Sequence, residues 1–376
     1  LLSASGGSTR VGVVMAGGAG ERFWPISRAT RPKQLLPLGT SGRTLLQETV
    51  DRLRPLMPDD RLFIVTGGQL RDPILESNST LQPAQVLAEP DKRGTLGCIA
   101  YATAYVLARY AEAPCATTFA ILPADHYVTD AEAFRQGVEA GMAAAEHEDA
   151  LVIVGVTPTR PETGYGYIEI ASNAEPLCVP GTEEAVWAVD SFREKPSPET
   201  AREFLDAGRF LWNSGMFFWR ASTFLSELER ARPRVAELIG QMTEALRRDD
   251  IDEVHEAFAQ LPDLSIDYAL MEHAGCVRVI RANFAWDDLG AWDAYHRVAQ
   301  PDGSGNVTVG DPVLIESRNC VVYNEPGAEK MAVAVVGMDG VVVAVAEDGV
   351  LVVPASRAQE VREAVAALKQ RGAKQI

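Results

Sequence analysis

Apolar positions follow two alternating rhythms as far as about His296. "RVGVVMAGG", "RLFIVTGG", "TTFAILPAD" and "ALVIVGVTP" are short unbroken apolar runs that end at glycine, proline or aspartate, the pattern of strands buried on both faces. Helical periodicity fills the intervals. "TLLQETVDRL" places Leu46, Val50 and Leu53 on one face, and Thr44 and Gln47 have the spacing of a capping box. "TLGCIAYATAYVLARY" is apolar almost all round and predicts a buried helix, and "DAEAFRQGVEAGMAAAEH" predicts a helix between two of the strands. This alternation predicts an α/β domain whose mostly parallel sheet is covered on both faces. Ligands of such sheets sit beyond the carboxyl ends of the strands, where the glycines after Met15 and the carboxylate of Asp125 fall.

The pattern changes after His296. "AQPDGSGN" reads as a linker, and short β-rich runs follow, separated by turns such as "MDG" and "EDG". "SRAQEVREAVAALKQ" is an amphipathic helix with Val361, Ala364, Val365 and Leu368 on one stripe. The division predicted is a flexible tail over 1–9, an α/β domain over 10–298 and a small β-rich domain over 299–376 with a terminal helix. That last domain carries no catalytic constellation, so a structural or subunit-pairing task is expected of it. The acidic run "RRDDIDEVHE" reads as a solvated helix face.

The chain has 376 residues, 47% hydrophobic and 23% charged, an ordinary globular balance. Its net charge of -17 argues against non-specific binding to nucleic acid or an anionic membrane. The longest apolar region, Met331 to Pro354, is cut by Asp339, Gly340, Glu347, Asp348 and Gly349, so no membrane span is expected. Cys98, Cys115, Cys178, Cys276 and Cys320 are odd in number and never spaced as CxxC, which fits a reducing cytosol and offers neither a disulfide framework nor a zinc site. "LLSASGGSTR" has no basic leader and no apolar core of signal-peptide length and reads as a flexible tail, while the cysteine usage makes a cytoplasmic protein the expectation.

Against this acidic background, "VGVVMAGGAGERFWPISRATRPKQLLPL" gathers Arg22, Arg28, Arg31 and Lys33 behind a glycine turn, opposed only by Glu21. Local cations in an acidic chain point to a small anionic ligand. A Walker A loop does not follow Gly17 or Gly18, and a dinucleotide fingerprint begun at Gly18 and Gly20 fails at Phe23. Glycines nevertheless let backbone N–H groups close on phosphate oxygens, and a turn of them makes an anion nest.

"AGGAGERFWPISRATRPKQLLPL" closely resembles the G-G-x-G-x-R-x-W-P-x-S…P-K-Q signature of the sugar-1-phosphate nucleotidylyltransferases, and within them the mannose-1-phosphate guanylyltransferases. "PADH", "TGYGYIE", "REKP", "WNSGMF", "SIDYALME" and "WDDLGAW" follow in the family's order. The resemblance implies a Rossmann-like nucleotide-diphospho-sugar transferase domain. It implies Mg²⁺-dependent transfer of GMP from GTP to mannose 1-phosphate, giving GDP-mannose and pyrophosphate. An attacking phosphate is already anionic, so alignment and charge cancellation suffice and no protein nucleophile is needed.

By the same resemblance Arg22 and Lys33 hold the triphosphate as catalytic cations, and Ala16, Gly17, Gly18, Glu89, Gly94 and Thr95 contact the nucleotide. Asp125 and Asp288 are the matched Mg²⁺ ligands, with Asp287 an extra carboxylate where the family commonly has serine. Gly166, Glu194 and Asn213 match the hydroxyl-reading positions, Lys195 meets the sugar's phosphate, and Asp267 is a lesser candidate. His126, Tyr165, Trp212, Phe217 and Phe218 are expected to be structural. Donor–acceptor matching adds that Glu89 can accept from guanine N1–H and its 2-amino group together. At Gly94 the family often has asparagine. The small domain is implied to be a left-handed β-helix that pairs two copies, although its Asp-Gly turns equally suit plain hairpins. The alternatives are the same transfer with glucose or heptose 1-phosphate or another nucleotide, and a non-catalytic nucleotide-sugar sensor.

Overall fold

The computed structural model describes residues 8–78, 80–110, 114–172, 174–325 and 331–376. Of the expected tail, 1–7 lie outside the described residues, and Thr9 already belongs to the first strand. The strands are β1 (Thr9–Met15), β2 (Leu62–Gly67), β3 (Val86–Glu89), β4 (Thr117–Pro123), β5 (Tyr127–Val128), β6 (Leu151–Val156), β7 (Gly166–Ile170), β8 (Val186–Glu194), β9 (Phe210–Arg220), β10 (Val277–Arg281) and β11 (Trp286–Asp287). The series continues with β12 (Val307–Val309), β13 (Val313–Ile315), β14 (Val321–Asn324), β15 (Ala334–Val336), β16 (Val341–Val345) and β17 (Val350–Pro354).

Among the described residues, nine strands form one sheet in the order β3-β2-β1-β4-β9-β6-β10-β8-β7. Strands β3, β2, β1 and β4 run parallel, as expected. Beyond them β9 enters antiparallel between β4 and β6, and β8 and β7 pair antiparallel at the far edge. The sheet is therefore mixed in this half, because the β7–β9 stretch returns through antiparallel neighbours rather than helical crossovers. Alternate residues of each strand enter opposite cores. Val11, Val13, Phe119 and Ile121 pack under the helix Gly94–Tyr110, whereas Val14, Ala120, Leu122 and Val152 pack under the helices Leu45–Leu53 and Ala131–Glu148. The helix Gly94–Tyr110 is buried along most of its length, and the Thr44–Gln47 capping box is formed in both directions.

Strands β12, β14 and β16 stack in parallel on one face of the C-terminal unit, and β13 and β15 stack in parallel on another. This is the coiling of a β-helix. The "MDG" turn, with Gly340 at φ +64°, links β15 to β16 as a coil corner, and only "EDG" closes a hairpin, between β16 and β17. The unit does not stand apart. Val321, Tyr323, Val342 and Val365 share one core with Phe23, Trp24 and Ile26 of the glycine-loop segment and with Trp292 and Tyr295. "AQPDGSGN" is a tight turn, held by Asp302 accepting from the backbone of Ser304 and Asn306.

Candidate active site

Strand β1 delivers Ala16 into the protein and the following glycines to the surface. Ala16 is buried, its carbonyl accepting from Gln34 and Thr66. A Cβ added at Gly17 or Gly18 would meet nothing within 4 Å, so no packing demand explains either glycine. Gly20 is different. It sits at φ +61°, and a Cβ there would lie 2.4 Å from the Cβ of Lys33. This close approach brings Lys33 beneath the glycine loop.

Lys33 is 6% exposed. Its Nζ lies 2.6 Å from Asp125 Oδ2 and donates to the carbonyls of Asp288 at 2.6 Å and Leu289 at 3.2 Å. The two-residue ladder of β5 with β11, pairing Tyr127 with Asp287 and Val128 with Trp286, explains how Asp125 and Asp288 come together. Burial opposes ionisation of Asp125, but the charge and hydrogen bond of Lys33, aided by His126, hold its carboxyl below the ordinary value. Asp288 is pushed up by burial and by Asp287 and Asp125, with Lys33 and Tyr165 opposing. Leu289, which follows it, is buried at φ +47°. A non-glycine residue in that conformation stores about 1–3 kcal/mol and fixes the direction of the preceding carboxylate.

The structure resolves the neighbouring aspartates. Asp287 is paired with Arg297 and accepts from the Leu289 amide, while Asp288 Oδ1 accepts from the Tyr165 hydroxyl at 2.5 Å and from Gly290 N at 3.1 Å. Tyr165 thus has a role beyond the packing expected of it. Its place in "TGYGYIE", immediately before Gly166, was the available signal. Burial raises the Tyr165 hydroxyl, and the Asp288 charge raises it further, so it stays a donor. His126 packs against Trp286: its Nδ1 accepts from Trp286 at 3.1 Å, and burial lowers it to about 4.

A cleft of about 360 Å³ opens between the carboxyl ends of β1, β3 and β4. Gly17, Gly18, Glu89, Gly94, Thr95 and Asp125 all line it, together with Asp267. Gly94 has φ +61°, and a Cβ there would sit 2.3 Å from the carbonyl oxygen of Leu264, so this loop packing demands glycine. Thr95 Oγ1 accepts from Ile266 N at 2.8 Å. Burial raises the Glu89 carboxyl to about 7, against the Cys98 thiol and Lys92.

The sugar candidates also converge. Strand β9 is irregular opposite β6 where Ser214 Oγ bonds the Val154 carbonyl, and this break exposes Asn213 to Asp267, Nδ2 donating to Oδ1 at 2.8 Å. A Cβ on Gly166 would lie 2.5 Å from Glu194 Oε2 and 3.3 Å from Asn213 Cβ. That Glu194 oxygen is buried without a hydrogen-bond partner among the described residues. Lys195, at φ +47°, holds the other oxygen at 3.0 Å. Asp267 opens a turn of wide helix and is raised to about 6 by burial and by the Glu194 charge. It belongs to this group more firmly than its sequence context alone indicated.

The cation cluster divides. Arg28 pairs with Asp348 at 2.5 Å and Arg31 with Glu325, both acids of the C-terminal unit, so these two arginines do not face the cleft as the sequence suggested. Glu21 pairs with Lys369, and Arg22 donates to Gln359 Oε1 at 2.6 Å. Arg22 lies beside the Asp288–Gly290 segment, its Nη1 3.6 Å from where a Gly290 Cβ would be. Among the described residues, no three histidine, cysteine or acidic side chains are grouped to hold a metal. No helix among them is long and apolar enough to cross a membrane. All five cysteines are free.

A glycine-lined cleft beyond parallel strands, with a buried lysine bridging the Asp125 carboxylate to the Asp288 and Leu289 carbonyls, defines a nucleotide-handling α/β enzyme site. The family description "Nucleotidyl transferase" matches residues 11–304, and "MannoseP isomerase/GMP-like beta-helix domain" matches 310–368. The chain is 35% identical to the mannose-1-phosphate guanylyltransferase of Escherichia coli, over 95% of this chain and 74% of that one. It is 36% identical to the xanthan biosynthesis protein XanB of Xanthomonas campestris strain B100, over 96% of this chain and 73% of that one. The crystal structure of a mannose-1-phosphate geranyltransferase from Thermus thermophilus superposes with a TM-score of 0.83 at 37% identity, covering 96% of this chain and 99% of that one. The chain belongs to the nucleotidyl transferase family, and within it to the mannose-1-phosphate guanylyltransferases.

Proposed function

We propose that this enzyme transfers GMP from GTP to mannose 1-phosphate, releasing pyrophosphate and forming GDP-mannose. The observation that carries this reading is the shared cleft. Gly17, Gly18, Glu89, Gly94 and Thr95 line one end, Asp125 stands within it, and Asp267 leads from it to the unpartnered oxygen of Glu194. A buried carboxylate oxygen with no donor is costly, and a sugar hydroxyl would satisfy it.

In this reading the triphosphate lies over Gly17 and Gly18, where backbone N–H groups are unshielded by side chains. Glu89 accepts from guanine N1–H and the 2-amino group. Gly166, Glu194 and Asn213 read mannose hydroxyls, and Lys195 meets the sugar's phosphate. Lys33 already spends its three N–H bonds on Asp125 and two carbonyls, so it exchanges one of them for a phosphate oxygen. Arg22 supplies a second cation to the phosphates. Removing either cation costs on the order of 10²–10³ in rate.

Asp125 and Asp288 fit Mg²⁺, being two oxygen-donor carboxylates close enough for the charge of Asp125 to raise the Asp288 carboxyl, without a nitrogen or sulfur ligand set among the described residues. When bound there, Mg²⁺ supplies charge neutralisation for the phosphate oxygens. Tyr165 holds the Asp288 carboxylate in place for it.

Exposed Val313 and Ile315 on β13 and Val336 on β15 form an apolar stripe suited to a second copy, which supports a homodimer. Free cysteines support a cytoplasmic location. Pyrophosphate release is the test, measured with Mg²⁺ across GTP, ATP, UTP and dTTP, each with mannose and glucose 1-phosphates. Release confined to GTP with mannose 1-phosphate is expected. Another productive pair would overturn the specificity, and binding of nucleotide sugar without release from any pair would overturn catalysis.

A further inference from the structure

We propose that Gln359, in the C-terminal unit, is a positioning residue for Arg22, and that the unit sorts the charges of the glycine-loop segment so that Arg22 alone reaches the triphosphate uncompensated. The inference rests on the reading of Arg22 given above.

The segment from Glu21 to Lys33 is wedged between the α/β domain and the C-terminal unit. Phe23 and Trp24 are buried in the shared core, and Trp24 Nε1 donates to the Gln375 carbonyl at 2.6 Å. Its charges other than Lys33 therefore meet the C-terminal unit one by one. Arg28 receives Asp348 and Arg31 receives Glu325, each a carboxylate. Glu21, the acid nearest Arg22 in sequence, is drawn off by Lys369. Arg22 receives an amide oxygen, from Gln359 at 2.6 Å.

The chemistry of that partner matters. A carboxylate at 359 would hold the guanidinium as well or better, but it would neutralise the charge and repel an approaching phosphate. An amide oxygen fixes one N–H and leaves the positive charge and the remaining donors of the fork free. Both Arg22 and Gln359 are exposed, so the contact adds little to stability; its effect is on direction. The same unit that the sequence left without a catalytic part thus sets the electrostatics of the catalytic loop.

The test compares Gln359→Ala and Gln359→Glu with Arg22→Ala, measuring kcat and the KM for GTP at low and high salt. Gln359→Ala is expected to lower kcat/KM for GTP about three- to tenfold, the scale of one hydrogen bond. Gln359→Glu restores an acceptor but is expected to raise the KM for GTP about tenfold at low salt, a defect that shrinks as salt rises. Neither variant should shift the thermal midpoint. In the Arg22→Ala background, Gln359→Ala should cost nothing more. A Gln359→Glu variant that equals wild type at low salt overturns the proposal, as does a Gln359→Ala defect of undiminished size without Arg22. If Arg22→Ala itself retains wild-type activity, the reading of Arg22 falls and the inference with it. A crippled Arg22→Ala beside Gln359 variants indistinguishable from wild type sinks the inference alone.

Discussion

Arg297 grips both oxygens of Asp287, Nε to Oδ2 at 2.7 Å and Nη2 to Oδ1 at 3.1 Å, and so takes that carboxylate out of the cleft. The next residue, Asp288, is turned the opposite way and meets Tyr165. Two adjacent acids should therefore fail differently. Asp287→Asn leaves Arg297 paired only with Asp293 and costs about 2 kcal/mol of stability, less than a fully buried pair because Arg297 is 32% exposed and keeps this second partner. Its kcat should stay within a few-fold of wild type. Asp288→Asn should keep or raise the thermal midpoint, since burying that charge is already unfavourable, while activity drops by on the order of 10² or more. Thermal unfolding and pyrophosphate release on the two variants separate these outcomes; equal loss of activity in both would refute the assignment.

The glycines of the loop divide in a similar way. At Gly17 an added methyl touches no protein atom, so Gly17→Ala should change stability by no more than about 0.5 kcal/mol. If the space belongs to the triphosphate, the KM for GTP nevertheless rises strongly. At Gly20 the methyl meets Lys33 and the backbone is left-handed. Gly20→Ala should lose about 1–3 kcal/mol and, by displacing Lys33, most of the activity. The informative pair is Tm against KM: a destabilised Gly17→Ala, or a stable and active Gly20→Ala, contradicts the geometry.

Strands β1, β2, β4 and β6 and the capping box at Thr44 were legible because each is written in local pattern, and the convergence of Glu89, Gly94, Thr95 and Asp125 because each sits in a stretch that resembles the family's. The antiparallel entry of β9 was not, since an apolar run such as "FLWNSGMFFW" carries no sign of its direction. Nor were the fates of Arg28 and Arg31. Their partners, Asp348 and Glu325, lie about 300 residues away in sequence, and charge clusters look alike whether they face a ligand or another part of the chain. Tyr165 and Asp267 were underweighted for a related reason. A tyrosine in an aromatic stretch reads as packing until a carboxylate is found at its hydroxyl.

The stripe on the β-helix makes a statement about assembly. Ile315 pairs in register with Val336, and both are more than half exposed, beside Val313. Such parallel coils leave their outward residues to solvent unless something covers them. The expected result from sedimentation equilibrium is a dimer, converted to monomer by Ile315→Glu with secondary structure intact. A wild-type monomer, or a dimer indifferent to charges at both 315 and 336, would place pairing elsewhere or remove it.

If Glu89 reads the base as proposed, recognition depends on pH. Burial, the main cause, pushes its carboxyl up to about 7 from an ordinary 4.5. Between these values the folded chain retains a proton that the unfolded chain has released, so stability is fully present below about 4.5 and declines as pH rises to about 7. Glu89→Gln removes the decline and should raise the thermal midpoint at pH 8 but not at pH 4. Recognition runs in the opposite sense. Only the ionised carboxylate accepts from guanine N1–H and its 2-amino group together, so the wild-type KM for GTP should climb as pH falls from 8 to 6, by up to about tenfold per unit below the pKa. In Glu89→Gln it should be high and flat over the same range. A wild-type profile as flat as the variant's would show that the carboxylate does not read the base, leaving the stability effect as its sole consequence.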